Sequence, residues 1–514
     1  MLIITSAAYV PQDLVADIGQ IPPAFLPLRN RPLYWWQLAS LSQCPERTVI
    51  TVPSDFVVDP WDLTCIEQAG ATLFASDPEM GLAESLLSLL FEFPLEPGET
   101  LKLLHGDTLL ESIPWEIPDA VAAAANDGYY QRAQVGVESG KFGFARYRYC
   151  APGDVVLSGY FSFTDGGAFR EVLREAGEFI PAVNAYAASR GGVEILHIDE
   201  WSDCGHVNAY YRSRARHTGA RSFNYLEPRH YFIRKRSSNE KKIAAEMKWF
   251  GDMPAAMRHY FPQIGETSCE HGQVFYDVEY LHCLPLSDAF VYGRLSIKDW
   301  EIILHRCKEF VADCVELTPQ LEHEPLRGSM FLQKTEKRLL EFAEESGWDI
   351  KAQVTINGVA YPSLGDLARI AQEILDGAEE PVASLVHGDL CFSNILYDMR
   401  AQRIKVIDPR GLDSTGEMAA LGDPRYDLAK LFHSIVGGYD FVVAGRLVGD
   451  RTGTSHELRI VGELPDRVGE VREVFLSLFR DVFDRYGGEA VIAAATIHLF
   501  LSMLPLHADD ASRQ

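Results

Sequence analysis

The sequence predicts two domains, an α/β domain with a mainly parallel sheet followed by an α+β domain. Over residues 1–215, short apolar runs alternate with amphipathic segments, which is the pattern of strands joined by helices in a parallel sheet. From residue 220 to residue 514, a short strand-rich stretch precedes a long and mostly helical one. The chain of 514 residues has room for both, because domains commonly hold about 100–200 residues.

Apolar periodicity places the main elements of the first domain. The predicted strands are Leu2–Ser6, Arg47–Val52 and Leu101–Asp107, and the predicted helices are Tyr34–Ser42 and Gly81–Phe91. The pattern then changes at Arg212–Gly219, a basic and polar segment that we interpret as the linker or edge of this domain.

The second domain is predicted to have a small lobe over residues 220–295 and a helical lobe over residues 296–514. The small lobe's predicted elements are a strand at His230–Ser237, a helix at Asn239–Phe250 and a strand at Gln273–Leu281. A predicted strand–turn–strand pair at Asn394–Asp408 interrupts the helical lobe.

Composition and charge narrow the class of protein. Hydrophobic residues make up 47% of the chain, which is typical of a folded globular protein. The net charge of −26 would repel phosphate backbones and anionic lipids, so we expect no nucleic-acid partner. Nine cysteines without a CxxC pair indicate reduced thiols and a cytoplasmic location. The apolar run Val491–Leu506 predicts a buried helix rather than membrane insertion.

The strongest chemical signal is LVHGDLCFSNILYDMRAQRIKVIDPRG, residues 385–411. Phosphoryl transfer needs a carboxylate beside the attacking hydroxyl, and Asp389 is placed for that role. The predicted hairpin brings Asp408 back beside Asn394, and two oxygen ligands of this kind suit Mg²⁺. A second His-Gly-Asp at residues 105–107 lacks the Asn and Asp that follow the first one.

This HGD…N…ID pattern resembles the aminoglycoside phosphotransferase and choline kinase family, and GDPRYDLAKL at Gly422–Leu431 resembles that family's helix start. The resemblance implies a protein-kinase-like fold that uses ATP and Mg²⁺. It also implies that Asp389 is the catalytic base and that Asn394 and Asp408 hold the metal. We expect Asp427 to cap a helix or to brace the catalytic loop.

A kinase also needs a cation for the ATP phosphates, in the form of a strand lysine paired with a helix glutamate. We predict that Lys235 and Glu246 form this pair, the alternative being that both are surface charges. Lys241 and Lys242 are rival cations that we expect to be solvated.

The remaining contacts to ATP are predicted from the order of the segments. Adenine is expected to bind the main chain between Glu279 and Leu281, because EYLHCLPL resembles the hinge of the same family. RSFNYLEP stands where a glycine-rich loop would lie, and Ser222 or Asn224 is the candidate phosphate contact there.

The first domain resembles sugar-phosphate nucleotidyltransferases of the GT-A-like fold in four fragments, which are LIITSAA, FLPLRNRPLYWWQL, GLAESLLSLL and LLHGDTLL. The resemblance implies that Asp107, together with Asp203, binds a metal and that CTP or another NTP is the substrate. The alternative is that both aspartates only cap structural elements. The family's GxGxR signature is missing after the first strand, which implies altered or lost nucleotide binding.

The predicted activity is ATP-dependent phosphorylation of a hydroxyl on a small molecule, namely a sugar, polyol or amino alcohol. By family analogy, the fusion of these two domains points to capsule or surface-polysaccharide precursor synthesis. Two alternatives remain, a bifunctional kinase–nucleotidyltransferase that makes an NDP-activated precursor and a non-catalytic nucleotide-binding scaffold. Arg410 and Phe500–His507 are candidate linings of the acceptor pocket. The sequence leaves the identity of the acceptor and the oligomeric state open.

Overall fold

The structure is a computed structural model, and it falls into two compact units. Unit 1 comprises Met1–Thr218 with Tyr292–Arg294, and unit 2 comprises Gly219–Val291 with Leu295–Gln514. The residues that the structure describes are 1–42, 44, 46–138, 141–217, 224–228, 232–270, 273–318, 331–413, 415–451 and 456–507.

Unit 1 is built on a mixed sheet with helices against it. Its strands are β1 (Leu2–Thr5), β2 (Pro27–Leu28), β3 (Arg31–Pro32), β4 (Thr48–Pro53), β5 (Ala71–Ser76), β6 (Leu101–His105), β7 (Thr108–Leu110), β8 (Ala120–Ala125), β9 (Tyr130–Glu138), β10 (Lys141–Cys150), β11 (Val155–Phe163), β12 (Glu194–His197) and β13 (Trp201–Asp203). Its helices are α1 (Gln12–Ile18), α2 (Leu33–Ser40), α3 (Pro60–Gln68), α4 (Leu82–Glu92), α5 (Gly166–Ala176), α6 (Phe179–Arg190) and α7 (Val207–Arg216).

The centre of the sheet in unit 1 is parallel. Strands run in the order β10-β9-β11-β6-β1-β4-β5, with β8 on β11 and β12 on β8. The pairs β1·β6, β1·β4 and β4·β5 are parallel, and β11 joins β6 antiparallel. Alternate residues of β1 enter two cores, Ile3 on one face and Ile4 on the other, as expected of a strand covered on both faces. The predicted α/β class is confirmed.

The basic segment Arg212–Gly219 was predicted to be the linker or the edge of the first domain, and its described part fits the edge, because the first stretch of unit 1 ends at Thr218. Helix α7 extends to Arg216, and Tyr210 and Tyr211 on it are buried. Its arginines are held locally, since Arg212 and Arg216 both pair with Asp127. The basic composition therefore reflects a paired helix face rather than a solvated connection.

Unit 2 contains a small antiparallel sheet followed by a mainly helical part. Its strands are β14 (Asn224–Pro228), β15 (Phe232–Ser237), β16 (Ile264–Glu270), β17 (Gln273–Glu279), β18 (Leu284–Pro285), β19 (Val354–Ile356), β20 (Val359–Tyr361), β21 (Ser384–Leu385), β22 (Ile395–Asp398), β23 (Arg403–Val406), β24 (Leu421–Gly422), β25 (Val448–Arg451) and β26 (Glu457–Val461). Its helices are α8 (Glu240–Asp252), α9 (Leu286–Val291), α10 (Ile297–Glu316), α11 (Leu332–Ser346), α12 (Leu364–Asp376), α13 (Pro424–Ile435), α14 (Tyr439–Val443), α15 (Asp466–Arg485) and α16 (Glu489–Met503).

The small sheet of unit 2 has the order β14-β15-β17-β16, and α8 packs on β15 and β17. The predicted strand–turn–strand pair corresponds to β22 and β23, which pair antiparallel from Ile395 with Val406 to Asp398 with Arg403. The sequence did not predict a second sheet, of order β20-β19-β26-β25, within the helical part.

Helix α16 lies at the centre of the helical part, packed against α11, α12 and α13. Its buried side chains include Val491, Ala495 and Leu499, which explains its apolar composition. Among the described residues, one helical stretch, Glu489–His507, is long and apolar enough to cross a bilayer, and half of its most apolar window is buried in the unit. A core helix has the same length and composition.

Candidate active site

The site in unit 2 is built around Asp389, which follows strand β21 in a tight loop. The Lys430 ammonium lies 2.9 Å from Asp389 Oδ1, and Asn394 Nδ2 donates to Asp389 Oδ2 at 3.0 Å. Burial by itself raises the pKa of Asp389, but the Lys430 charge and these hydrogen bonds prevail and hold that pKa well below its usual range. Asp389 is therefore an ionised carboxylate that can accept a proton.

The loop that carries Asp389 is fixed from behind by helix α13. Asp427 accepts hydrogen bonds from the main-chain amides of His387 at 2.7 Å and Gly388 at 2.8 Å. The helix itself is capped by Asp423, which accepts from the Arg425 amide at 2.9 Å. Of the two roles predicted for Asp427, the structure thus shows the brace.

His387 locks the loop to the returning strand. Its Nε2 lies 3.0 Å from the carbonyl oxygen of Ile407, so this nitrogen is the donor, and its Nδ1 accepts from the Asp389 amide at 3.3 Å. Burial lowers the pKa of His387 to about 4, which keeps the ring neutral and preserves this tautomer near neutral pH.

Asn394 and Asp408 are brought together by the β22–β23 hairpin, since the Ile407 amide donates to the Asn394 carbonyl at 3.0 Å. Both amide hydrogens of Asn394 point at Asp389, to its carbonyl at 2.9 Å and its carboxylate at 3.0 Å. The carboxamide oxygen of Asn394 accepts no hydrogen bond from any described residue. The Asp408 side chain is 40% exposed. The main chain of Asp408 is in the left-handed region, with a φ of 58°.

These oxygens fit Mg²⁺. An amide oxygen beside a carboxylate is a hard donor set, and Mg²⁺ commonly takes one or two protein ligands and completes its shell with water and substrate phosphates. The described residues contain no cluster of three or more His, Cys, Asp or Glu side chains arranged for a metal.

Lys235 and Glu246 form a buried ion pair, which is the pairing that the sequence predicts. Lys235 Nζ lies 2.7 Å from Glu246 Oε2 and 2.8 Å from Asp408 Oδ1, and Tyr276 OH donates to the same Glu246 oxygen at 2.8 Å. Burial lowers the pKa of Lys235, but the Asp408 and Glu246 charges outweigh it and raise that pKa above its usual value. A permanent cation thus lies against the candidate metal ligand. Lys242, 42% exposed, lies 3.9 Å from the other Glu246 oxygen.

The two residues predicted to contact adenine differ in whether their main-chain groups already make hydrogen bonds to described residues. The Glu279 amide donates to the Gln263 carbonyl at 2.9 Å, and its carboxylate accepts from the Gln263 amide at 2.9 Å. Leu281, in the connection between β17 and β18, makes no main-chain hydrogen bond to any described residue. Of the predicted phosphate contacts, Asn224 begins β14, and Ser222 lies outside the described residues.

In unit 1, the two predicted metal ligands converge where β7 pairs with β13. The Gly205 amide donates to Asp203 Oδ1 at 2.9 Å, and a Cβ added to Gly205 would overlap Asp107 Oδ2. The Arg132 guanidinium pairs with Asp203 Oδ2. The cation beside these carboxylates is therefore a protein side chain. The nearby His206 ring stacks on Tyr130 with 4.7 Å between the ring centroids.

The sequence did not predict the role of Lys430. It lies three residues after Asp427 in the predicted helix, so both side chains face the catalytic loop at helical spacing. The signal that could have revealed this role is the position of Lys430 about one helical turn after Asp427, the aspartate expected to brace the loop. The sequence did not predict the role of Lys334 either. Lys334 lies on α11 and contacts Tyr426 of α13, and no sequence signal of this kind marks it.

An ionised carboxylate in a braced loop, an adjoining Asn–Asp pair and a buried lysine–glutamate pair together define a kinase-like phosphotransferase site. Residues 304–459 match the model of the phosphotransferase enzyme family known as APH. The C-terminal part of the chain therefore carries a domain of that family, and this prediction is confirmed. The match includes Asp389, Asn394, Asp408 and Lys430.

The N-terminal region resembles sugar-phosphate and CTP nucleotidyltransferases among solved structures. A protein assigned as a glucose-1-phosphate thymidylyltransferase from Bacillus anthracis has 15% identity and a TM-score of 0.34, covering 43% of this chain and 96% of its own. The inositol-1-phosphate CTP transferase from T. maritima has 16% identity and a TM-score of 0.32, covering 42% and 95%. HddC from Yersinia pseudotuberculosis has 9% identity and a TM-score of 0.32, and the match covers 42% of this chain and 98% of HddC. The comparison with curated proteins gave no match.

Proposed function

We propose that unit 2 transfers the γ-phosphoryl group of ATP to a hydroxyl of a small molecule in the cytoplasm. The observation that carries this proposal is the state of Asp389, a carboxylate kept ionised by Lys430 and aimed by Asn394 within a loop braced by Asp427. A structural aspartate does not require a buried lysine and an asparagine that also adjoins a candidate metal ligand.

In this mechanism, the acceptor oxygen attacks the γ-phosphorus and the bond from that phosphorus to the β,γ-bridging oxygen breaks. ADP leaves with the electron pair, and the hydroxyl proton passes to Asp389. Lys235 steadies the phosphates, and Glu246 orients it. Asn394 and Asp408 would hold Mg²⁺, which when bound neutralises charge on the phosphates. Leu281 offers adenine its main-chain groups, which make no main-chain hydrogen bond to the described residues.

The proposal is tested by ADP release from ATP and Mg²⁺ with pooled sugars, polyols, amino alcohols and aminoglycosides. Turnover should require one pool, and Asp389→Asn should lower kcat by about 10²–10⁴-fold, which is the usual share of a general base. Asp376→Asn, an exposed aspartate at the end of α12, is the matched control and should keep full activity. No ADP release from the wild type in any pool, or equal turnover in Asp389→Asn, would refute the proposal and favour a nucleotide-binding scaffold.

A second candidate activity is nucleotidyl transfer in unit 1 with CTP or another NTP. The observation in its favour is the convergence of Asp107 and Asp203 at Gly205. With both activities, the chain would phosphorylate a small hydroxyl compound and then activate the phosphomonoester. This sequence of steps would suit the synthesis of surface-polysaccharide or capsule precursors, with no nucleic-acid partner and no membrane insertion.

A further inference from the structure

A group of three cations lies beside the catalytic loop of unit 2 and plays no part in the ATP contacts described above. The hydroxyl of Tyr426 accepts hydrogen bonds from Lys334 Nζ at 3.1 Å and from Arg410 Nη1 at 3.2 Å. Lys430 is one helical turn beyond Tyr426 on α13 and pairs with Asp389. Tyr426 is buried, whereas Lys334 and Arg410 are half-buried and so remain open to a ligand. We call Lys334, Arg410 and Lys430 the cation group.

The cation group is next to the base. The Arg410 amide donates to the His387 carbonyl at 2.9 Å. A Cβ added to Gly388 would lie 2.8 Å from the Arg410 Cβ, so the arginine stem packs directly on the residue before Asp389. Gly388 also has a φ of 77°, which a residue with a side chain rarely adopts. A molecule bound to Arg410 is therefore within reach of the carboxylate that accepts the proton.

Lys430 is paired with Asp389, but the other two members of the cation group have no such partner among the described residues. A cleft lined by Gly388, Arg410 and Tyr426 also contains Asp413 and Asp423. Asp413 accepts from the amides of the loop that follows it, and Asp423 binds Arg425 through both oxygens. Within the part of the chain that the structure describes, neither Lys334 nor Arg410 has a carboxylate at ion-pair distance.

The surplus positive charge also acts on Tyr426. Burial by itself raises the pKa of Tyr426, but Lys334, Lys430 and Arg410 outweigh burial and lower that pKa below its usual value. Such a local excess of cations is unusual in a chain of net charge −26. An anion at this place would be attracted by Lys334 and Arg410, whose charges are not taken up by a described carboxylate, and a cation would be repelled by them.

We infer that the acceptor is an anionic hydroxyl compound, whose phosphate or carboxylate binds Lys334 and Arg410 while its hydroxyl faces Asp389. This inference rests on the proposed kinase activity and narrows its substrate class. A guanidinium binds carboxylate or phosphate through two parallel hydrogen bonds, and an ammonium adds a third contact. Sugar phosphates, polyol phosphates and uronic acids fit this description. Amino alcohols and aminoglycosides do not.

The test compares acceptors that differ in charge and share a carbon skeleton. ADP release is measured with sorbitol against sorbitol 6-phosphate, and with glucose against glucose 6-phosphate, glucuronate and glucosamine. We expect kcat/KM to be higher for the anionic member of a pair. Lys334→Met should raise KM for the anionic acceptor about tenfold to a hundredfold, the usual loss for a charged hydrogen bond, with kcat and the KM for ATP little changed.

Three further measurements make this result specific. Lys334→Arg should restore most of the affinity, since it keeps the charge. Lys337→Met, whose side chain is 79% exposed on the same helix, should have no effect. Because the acceptor is unidentified, binding of the same sugar phosphates and uronates is also measured by calorimetry with a non-hydrolysable ATP analogue, so that loss of an anion site is visible without turnover.

The outcomes separate the inference from the proposed function. Turnover that favours neutral or amino acceptors and is unchanged in Lys334→Met would overturn the inference and leave the kinase standing. A rise in the KM for ATP instead of the acceptor would also overturn it, because the cations would then serve the nucleotide. Absence of turnover with every acceptor, while Lys334→Met abolishes anion binding, would overturn the kinase and keep the anion site.

Discussion

Lys430 controls the charge of Asp389 at a position where burial opposes ionisation. Its ammonium lies 2.9 Å from the carboxylate, and the Asp389 charge raises the pKa of Lys430 in return, although burial lowers it. Each group therefore keeps the other ionised. This mutual dependence makes the pH profile of the reaction a measure of a single contact.

Lys430→Met should therefore change the pH dependence as well as the rate. In the wild type, the lowered pKa of Asp389 keeps the base ionised on the acidic side, so kcat/KM should not fall with Asp389 protonation between pH 5 and 7. Without Lys430, burial is no longer outweighed and the pKa of Asp389 rises, so activity should fall as pH decreases through this range.

The measurement is kcat/KM from pH 5 to 9 for the wild type and Lys430→Met, with Lys337→Met as the control that should follow the wild type. A variant whose activity is reduced by the same factor at every pH would contradict the electrostatic role. In that case Lys430 would act only by packing.

The sequence could predict which site residues lie together where their spacing along the chain is short and fixed. Asp389, Asn394 and Asp408 follow from a short motif on a hairpin, and the lysine–glutamate pair follows from a strand and the helix next to it. Lys334 was out of reach because α11 meets α13 only through tertiary contacts, with Phe331 stacked on Tyr426. Periodicity shows which face of a helix is polar, but not what that face meets.

At the scale of elements, helix α8 is positioned by a glycine in the segment after β23. Gly411 has a φ of 60°, and a Cβ there would overlap the main-chain carbonyl of Ala245. Glu246 is the next residue on α8 and pairs with Lys235. The segment that follows Asp408 therefore sets how closely α8, and with it the glutamate, approaches the strand lysine.

Gly411→Ala should push α8 away and separate Glu246 from Lys235. Strain at the left-handed backbone and the overlap together should destabilise unit 2 by about 2–4 kcal/mol and lower activity. Gly416→Ala is the matched control, because Gly416 has a φ of 82° but no neighbour around the added Cβ, so it should cost only about 1 kcal/mol.

Denaturant unfolding and ADP release are measured for both variants. If Gly411→Ala lost no more stability than Gly416→Ala, the contact with Ala245 would not be what positions α8. Equal activity in both would show that the Lys235–Glu246 distance tolerates a shift of the helix.

Element prediction worked for segments with clear periodicity and failed for short ones. The strands of β1, β4 and β15 were placed within about two residues. The sheet of β19, β20, β25 and β26 was missed, because its strands have three to five residues and its outer positions are exposed. Runs of that length carry no reliable alternation, and the two short hairpins form one sheet only because β19 pairs with the distant β26, at Thr355 with Glu457.

At the scale of the whole molecule, the chain carries two carboxylate sites of different design in two units. In unit 2, Asp389 is paired with a lysine, while the Asn394 carboxamide oxygen accepts no hydrogen bond from the described residues. In unit 1, Asp203 is already paired with Arg132. The alternation of apolar runs predicted both fold classes, because many segments contribute to that signal. It could not predict the Arg132 contact, which joins distant parts of the sequence.

This difference predicts that the two activities can be separated by single substitutions. ADP release should be unchanged within about twofold in Asp107→Ala, because this residue belongs to unit 1, and lost in Asp389→Asn. Pyrophosphate release is followed in parallel with each of the four NTPs and the phosphorylated product as acceptor. The second candidate activity requires pyrophosphate release that Asp107→Ala abolishes and Asp389→Asn retains.

Arg132→Met is the decisive third variant. If the guanidinium takes the place of a metal, the substitution leaves two unbalanced carboxylates and should lower stability without Mg²⁺, with recovery on adding it. If the arginine only packs against Tyr130 and Trp201, Mg²⁺ should give no recovery.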